Sequence, residues 1–145
     1  MKTILALTGM VSLCFAGETK VKMESLPPAV QQAIKQQSAG AIIKGLSKET
    51  EKGKTYYEAE LQVNGHSKDI SFDASGKVVS VEEEVAIDSI PAAARDAINK
   101  AIGTGKLSRV ERVSENGKTS YEAAIKTGTK TKEFTVDADG KPVKN

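Results

Sequence analysis

The 145-residue chain contains an internal repeat, and its second copy begins 64 residues after the first. Three blocks of residues recur at this single offset, so no insertion or deletion separates the copies. The matching blocks are 25–34 with 89–98, 53–59 with 117–123, and 73–77 with 137–141. A repeat of this kind indicates that one supersecondary unit has been used twice. The structure of that unit therefore constrains the fold more than any single motif does.

Each copy opens with a segment that predicts a helix. Apolar residues recur three and four positions apart, which places them on one helix face. They are Leu26, Val30, Ala33 and Ile34 in the first copy and Ile90, Ala94, Ala97, Ile98 and Ala101 in the second. Pro27 and Pro91 suit a first helical turn, where a missing N–H costs nothing. Ser25 and Ser89 lie just upstream and are candidate helix caps.

The rest of each copy predicts antiparallel strands. Apolar and polar residues alternate along them, and the inward row is Tyr57, Ala59, Leu61 and Val63, repeated by Tyr121, Ala123, Ile125 and Thr127. Asn-Gly pairs at 64–65 and 116–117 favour hairpins, and Asp73 and Asp137 each open a turn that a glycine closes. The predicted fold class is therefore α+β: a tandem repeat of a helix followed by a four-stranded antiparallel sheet, a two-layer module in each copy.

Two further expectations concern the sheets. The helix should cover one sheet face and leave the other open. The fourth strand of the second copy should be the shorter one. A module of roughly 60 residues is marginally stable alone, so the two copies are expected to pack together. One sheet that runs through both copies is an open alternative.

The N-terminus reads as a secretory signal peptide over residues 1–16. Lys2 precedes an apolar run from 4 to 15, and Ala16 offers a small-residue cleavage site. The alternatives are a retained anchor and a lipoprotein that begins at Cys14, although Leu13 stands where lipoprotein signals carry a small residue. Export predicts a periplasmic or secreted protein. Cleavage would leave no cysteine and no segment long enough to span a membrane.

The remaining chain divides into a linker at 17–23, a first module at 24–84, a link at 85–87 and a second module at 88–145. Removal of Lys2 leaves 20 basic residues (21 minus one) against 19 acidic ones. Nucleic acid as a partner is excluded on this balance, because its recognition needs clustered positive charge.

The three repeated blocks resemble the PepSY-like family, in particular its tandem "putative β-lactamase-inhibitor-like" branch. The shared pattern is an opening S-x-P-x-x-x-x-x-A-I helix, a G-K-x-x-Y-E-A strand and a V/F-D-A-x-G-K turn. The resemblance implies an exported bacterial protein with a helix packed on a four-stranded sheet. It also implies a binding module of the cell envelope, with an inhibitory role suggested by related propeptides of secreted metalloproteases. It carries over no catalytic residue.

Motifs that suggest chemistry are better explained as structure. The Gly-Lys-Thr sequences at 53–55 and 117–119 lack the upstream glycine and the following helix of a phosphate-binding loop. The Asp-x-Asp-Gly at 137–140 lacks most ligands of a calcium loop. His66 has no second histidine or thiolate to complete a metal site. Glu58 and Glu122 recur on the outward row, where solvation is expected and catalysis is not. The run Glu82 to Glu84 predicts a solvated strand end, and a rim for a basic partner is the alternative.

The favoured function is an exported, non-enzymatic module that binds an unidentified envelope protein or peptide, through its open sheet face or a sheet edge. Inhibition of an envelope or secreted hydrolase is one form of this function. The candidate binding residues on the open face are Tyr56, Glu58, Glu60, Glu122 and Lys126. No cofactor or metal is predicted. The alternatives are a small-ligand or calcium-responsive envelope sensor and a self-associating structural protein.

Overall fold

The computed structural model describes residues 18–143. The predicted signal peptide, with Leu13 and Cys14, lies outside this range. Strands β1 to β8 span Thr19–Lys20, Ile42–Glu51, Lys54–Val63, His66–Asp73, Val78–Glu84, Lys106–Glu115, Lys118–Thr127 and Lys130–Asp137. Helix α1 spans Pro28–Gln37 and α2 spans Ala92–Ile102. A short 3-10 turn precedes each helix, at Met23–Ser25 and Ile87–Ser89.

The eight strands form one continuous antiparallel sheet in sequence order, from β1 to β8. The predicted fold class, a tandem repeat of a helix followed by a four-stranded antiparallel sheet, is therefore wrong. Strand β5 pairs with β6 although α2 lies between them in sequence, with Ser80 opposite Glu115 and Glu84 opposite Glu111. Two separate sheets would leave the backbone N–H and C=O groups of β5 and β6 unpaired at exposed edges. Pairing these strands satisfies those groups.

The two sequence copies contribute unequal parts to this sheet. The first supplies the four strands β2 to β5, and the second supplies the three strands β6 to β8. Within residues 18–143 the predicted fourth strand of the second copy is reduced to a single bridge between Val136 and Pro142. The short β1 precedes the first helix and pairs only with Ser47 and Lys48 of β2.

Both helices pack on the same sheet face, here called the helix face. Val30 and Ile34 of α1 are buried in one apolar cluster with Phe72, and Ala94 and Ile98 of α2 are buried in a second. The remaining buried members of the first cluster are Leu26, Ala59, Leu61 and Ile70, and those of the second are Ile90, Val110, Tyr121, Ala123, Ile125 and Val136. Between the clusters, Glu83 of β5 forms ion pairs with Lys68 and Arg112.

The helices begin differently from the sequence prediction. Pro27 and Pro91 occupy the N-cap positions, and neither cap has a side-chain hydrogen bond. The Ser25 hydroxyl donates to the carbonyl of Lys22, and the Ser89 hydroxyl donates to that of Ala86, each at 2.7 Å. The capping role predicted for the two serines is therefore wrong. They close the 3-10 turns that lead into the helices, because a proline two residues later separates them from the first helical N–H groups.

Two turns of the sheet, 64 residues apart, each pack against one of the helices. Asp73 Oδ1 accepts backbone N–H bonds from Ser75 and Lys77, as the sequence predicts, and Asp137 Oδ1 accepts them from Asp139 and Lys141. Gly76 and Gly140 close these turns with positive φ. A Cβ atom would lie 2.6 Å from the Ala29 carbonyl oxygen at Gly76 and 2.4 Å from that of Ala93 at Gly140. Only glycine fits this contact between turn and helix.

Candidate functional site: the open face of the sheet

The sheet face opposite the helices, here called the open face, contributes no residue to either apolar cluster. Alternation along each strand and the cross-strand register assign its residues. No helix of residues 18–143 packs against it, because the buried residues of both helices belong to the clusters of the helix face. The open face is therefore the surface on which a binding partner can meet the sheet.

A row of carboxylates crosses the middle of the open face. Each of five neighbouring strands, β3 to β7, contributes one member, and this set is here called the acidic row: Glu58, Asp69, Glu82, Glu111 and Glu122. Asp69 lies directly opposite Glu82, and Glu111 lies directly opposite Glu122. Directly opposed side chains have Cβ atoms about 4.5–5.5 Å apart, so like charges at these positions destabilise the sheet.

Three members of the acidic row are buried and two are half-buried, although the row lies on an uncovered face. Glu82, Glu111 and Glu122 are only 8, 4 and 5% exposed. Small buried residues form the floor around them, namely Ser47, Ser71, Ser80 and Thr135 together with Val113. Flanking side chains on neighbouring strands therefore shield the row from water. The solvation predicted for Glu122, and for Glu82 in the acidic run, is wrong, and Glu58 is half-buried.

This burial raises the pKa of every member of the row. Loss of hydration is the largest cause in each case. Burial and neighbouring carboxylates, led by Asp69, raise the pKa of Glu58 to about 8. The same causes raise the pKa of Asp69 to about 6, and those of Glu82 and Glu122 to about 7. Burial also raises the pKa of Glu111. The free protein therefore keeps protons on this face near neutral pH.

Arg109 is the cation that acts on the row. Its Nε lies 3.0 Å from Glu111 Oε1, in an ion pair without hydrogen-bond geometry. Its charge opposes the rise in pKa at Asp69, Glu82 and Glu122 as well. Arg109 lies opposite Ala124, whereas at the equivalent positions in the first copy Gly45 lies opposite Glu60. The first copy therefore adds a carboxylate to the face where the second adds a guanidinium.

The hydrogen bonds of the row are few. Thr135 Oγ1 donates to Glu122 Oε2 over 3.2 Å. Just outside the row, Glu84 Oε2 accepts a bond from the backbone N–H of Ser67, which lowers the pKa of Glu84. No side-chain hydrogen bond or ion pair from residues 18–143 reaches Glu82. Glu111 and Glu122 are less exposed than Glu82, but each has a polar side chain beside its carboxyl group. Glu82 is thus the least exposed acidic residue of the open face whose carboxyl group has no such neighbour.

The residues predicted from sequence all lie on the open face, but they do not form one patch. Glu58 and Glu60 are neighbours on β3, whereas Glu122 is four strands away on β7. Tyr56 is half-buried at one end of β3, opposite Asp73, and Lys126 is exposed at the end of β7, opposite Lys106. Of the five predicted residues, the acidic row includes only Glu58 and Glu122.

Sequence reasoning missed three residues of this site, Asp69, Arg109 and Glu111, and it assigned Glu82 to a solvated strand end. Asp69 alternates with Ile70 on β4, and Glu111 alternates with Val110 on β6, so parity alone could have placed both on the open face. The placement of Glu82 and Arg109 needed the β5–β6 register and the bulge between Leu107 and Arg109. Neither is visible in the local sequence.

Two other features could hold a small ligand. Carboxylate oxygens of Glu18, Glu58 and Glu60 lie within 4.8 Å of one another, close enough to share a cation. Calcium takes six to eight oxygen ligands, so these three side chains would supply part of a shell. At the far end of β6 and β7, a cavity of about 530 Å³ is lined by Lys106, Lys126 and neighbouring residues of both strands.

The fold and the open face together define an antiparallel-sheet protein with two helices on one side and an acidic, uncovered surface on the other. This chain belongs to the family described as "Putative beta-lactamase-inhibitor-like, PepSY-like", whose model matches residues 16–64 and 55–143. The family resemblance seen in the sequence is confirmed. A comparison with curated proteins finds no match.

Several solved structures share this fold. A protein of Bacteroides eggerthii, described among "putative periplasmic proteins", is 19% identical over 82% of this chain and 86% of its own, with a TM-score of 0.67. A "BLIP-like protein" of Bacteroides fragilis is 23% identical over 81% and 83%, with a TM-score of 0.60. A "DUF2874 family protein" of Bacteroides ovatus is 18% identical over 83% and 86%, with a TM-score of 0.63. At these identities the likeness establishes the fold.

Neither helix of residues 18–143 has the length and apolar character needed to cross a membrane.

Proposed function

We propose that this protein is an exported, non-enzymatic binding module of the cell envelope, which holds a protein or peptide segment on its open face. One observation carries the proposal. Both helices pack on one face of an eight-stranded sheet, while the other face collects five carboxylates from neighbouring strands, three of them buried and two half-buried. Burial of ionisable groups is unfavourable unless they are paired, so a surface of this kind gains stability from a partner.

The dimensions of the acidic row suit an extended segment. Strands in a sheet lie about 4.8 Å apart, so the four gaps between β3 and β7 span roughly 19 Å. At about 3.3 Å per residue, that distance matches some six residues of extended chain. The family description and the periplasmic and BLIP-like descriptions of similar structures support export and protein binding.

The proposal is tested by crosslinking from neighbouring residues that point to opposite faces. Glu133 and Lys132 are consecutive, exposed residues of β8, and Glu133 lies on the open face, opposite Ala124. A photoreactive amino acid at Glu133 should capture a partner in native cells, and the same group at Lys132 should not. The captured protein is then purified and must bind the unmodified chain with defined stoichiometry. Equal capture from both positions would show that the open face is not the site.

Inhibition of a hydrolase is the finer form of the proposal. The family is described as "Putative beta-lactamase-inhibitor-like", and the Bacteroides fragilis structure is described as a "BLIP-like protein". A panel of β-lactamases and secreted proteases, assayed with and without excess protein, tests this form directly. Inhibition should disappear when the open face is altered at Glu82 and persist when Lys132 is altered. Inhibition that is indifferent to both positions would place the inhibitory surface elsewhere.

A calcium-responsive sensor is the second candidate, favoured by the three close carboxylates of Glu18, Glu58 and Glu60. Calorimetry with calcium chloride separates it from the first. Binding heat and a raised melting temperature, both lost in Glu60→Gln, would support the sensor. Absence of both would remove it.

A further inference from the structure

We propose that the partner of the open face is a cationic segment of a protein, and that one of its lysine or arginine side chains enters the acidic row beside Glu82. This inference rests on the proposed function and specifies its partner. The bound segment is extended and basic, because its positive charges are complementary to the negative charges of the acidic row.

Glu82 supplies the first argument. It is 8% exposed, it lies on the open face, and no donor from residues 18–143 reaches its carboxyl group. Directly across from it are Asp69 on β4, which is itself a carboxylate, and Val113 on β6, which offers no donor. Among residues 18–143 only Arg109 Nε is a fully buried side-chain polar atom without a partner, so the unpartnered oxygens of Glu82 still reach the surface. A donor supplied from outside the chain can therefore reach them, and it would be favoured because few waters surround this carboxylate.

The charges around Glu82 supply the second argument. The groups that face it from its own strand and from β4, β6 and β7 are Glu84, Asp69, Arg109, Glu111 and Glu122. Arg109 is the single cation among them, and its charge acts on four of the five carboxylates of the acidic row, all except Glu58. The row therefore has an excess of four negative charges when all of it is ionised, five minus one. Arg109 also shows that a guanidinium fits beside these carboxylates, at 3.0 Å from Glu111.

Geometry favours a basic side chain over a metal ion at this place. In residues 18–143 the set of three acidic groups whose oxygens converge within 4.8 Å is Glu18, Glu58 and Glu60, and it does not include Glu82. The carboxylates around Glu82 are spread across neighbouring strands instead. Long side chains that carry their charge on flexible stems can reach such spread positions, whereas an ion needs its ligands gathered at one point.

Such binding must be linked to protons. The raised pKa values mean that part of the row is protonated in the free protein near neutral pH, with pKa values from about 6 at Asp69, through about 7 at Glu82 and Glu122, to about 8 at Glu58. A cation favours the ionised form, so it lowers these pKa values and releases protons as it binds. Affinity should therefore be high at about pH 8, where Asp69, Glu82 and Glu122 are ionised, and fall as the pH drops through this range.

The probe is a nine-residue peptide of alternating arginine and threonine with blocked ends. Its matched control replaces each arginine by citrulline, which keeps the shape and removes the charge. Calorimetry at about pH 8 and about pH 5.5, in two buffers of different ionisation enthalpy, measures affinity and proton release together. We expect the arginine peptide to bind at the higher pH, to lose roughly tenfold or more in affinity at the lower pH, and to release protons.

Two double variants separate the open face from general charge attraction. Asp69→Asn with Glu82→Gln neutralises the centre of the row and imitates its protonated form, so the fold should persist, as circular dichroism will check. Glu24→Gln with Asp96→Asn removes the same charge from exposed positions near α1 and in α2. The first pair should weaken the arginine peptide roughly tenfold or more, and the second should change its affinity by less than about threefold.

Several results would overturn the inference. If the citrulline peptide binds as tightly as the arginine peptide and both depend on Glu82, the open face binds peptides but does not select cations, so the proposed function stands alone. Equal weakening by both double variants would indicate bulk electrostatics. Absence of arginine-peptide binding at the higher pH would also contradict the inference, as would calcium chloride binding that depends on Glu82. Face-specific crosslinking at Glu133 would still support the proposed function in those cases.

Discussion

Replacement of Glu82 by glutamine should make the protein more stable at high pH and change little at low pH. Glu82 is 8% exposed and has no hydrogen-bond donor among the described residues, and burial raises its pKa from 4.5 to about 7. Below pH 4.5 the carboxyl group is protonated in both the folded and the unfolded chain, so it does not affect the balance. Between the two pKa values the unfolded chain loses the proton while the folded chain keeps it. Stability therefore falls as the pH rises through this window.

The magnitude follows from the two pKa values. The interval from 4.5 to about 7, at about 1.4 kcal/mol for each pKa unit, corresponds to about 3 kcal/mol. This penalty is complete above pH 7, where the folded protein also holds an ionised Glu82. Glutamine has nearly the same shape and carries no charge at any pH. The variant should thus gain up to about 3 kcal/mol over the unmodified protein at pH 8, relative to their difference at pH 4.

Urea denaturation of both proteins at pH 4, 6 and 8, followed by circular dichroism, measures this difference. Effects of glutamine that do not depend on pH cancel when the two ends of the range are compared. The matched control is Glu24→Gln, an exposed position on the helix side, which should keep the profile of the unmodified protein. A Glu82→Gln profile parallel to that of the unmodified protein, within about 0.5 kcal/mol, would refute the burial and charge crowding inferred for the row.

Other outcomes test separate parts of the structure. Gly140→Ala should destabilise the protein by about 2–4 kcal/mol, because a Cβ atom there meets a helix carbonyl. Gly117→Ala should cost only about 1–2 kcal/mol, because Gly117 has a positive φ but open space around it. Thermal melts that rank the two variants equally would contradict the contact between Gly140 and the helix. Arg109→Gln should cost roughly 1–2 kcal/mol at pH 8 and less at pH 5, where the carboxylates hold protons; a loss independent of pH would show that its charge is not what matters. Amide hydrogens in the middle of β5 and β6 should exchange as slowly as those of β3, since both strands lie inside one sheet. Fast exchange in β5 and β6 would indicate two separate sheets instead.

Much of the local structure could be predicted from the sequence. Val30 and Ile34 recur at helical spacing and are buried beneath α1. Alternation along β3 correctly assigned Ala59 and Leu61 to the core and Glu58 to the opposite face. These predictions succeed because periodicity reports which side of an element meets the apolar core, and that depends on neighbours within a few residues.

The candidate site was predicted less well, for a physical reason that Glu122 illustrates. Parity placed it on the outward row, and an outward row usually meets water. Its actual environment depends on Glu111 of β6 and Thr135 of β8, which lie directly opposite it, and on the burial that the crowded row produces. Each of these is a cross-strand relation, and register between strands cannot be read from alternation alone.

Periodicity and turn residues were enough to predict two amphipathic helices, the run of strands and hairpin turns, and the side of each strand that faces the helices, and the repeated blocks indicated the family. Spacing of apolar residues and the backbone freedom of turn residues are local properties, and they suffice for those features. The tertiary structure alone decided that β5 and β6 join the two halves into one sheet, and that five carboxylates thereby come together on its uncovered side. That pairing links strands separated by a whole helix, and the free energy that favours it comes from backbone groups and packed surfaces that meet only in the folded chain.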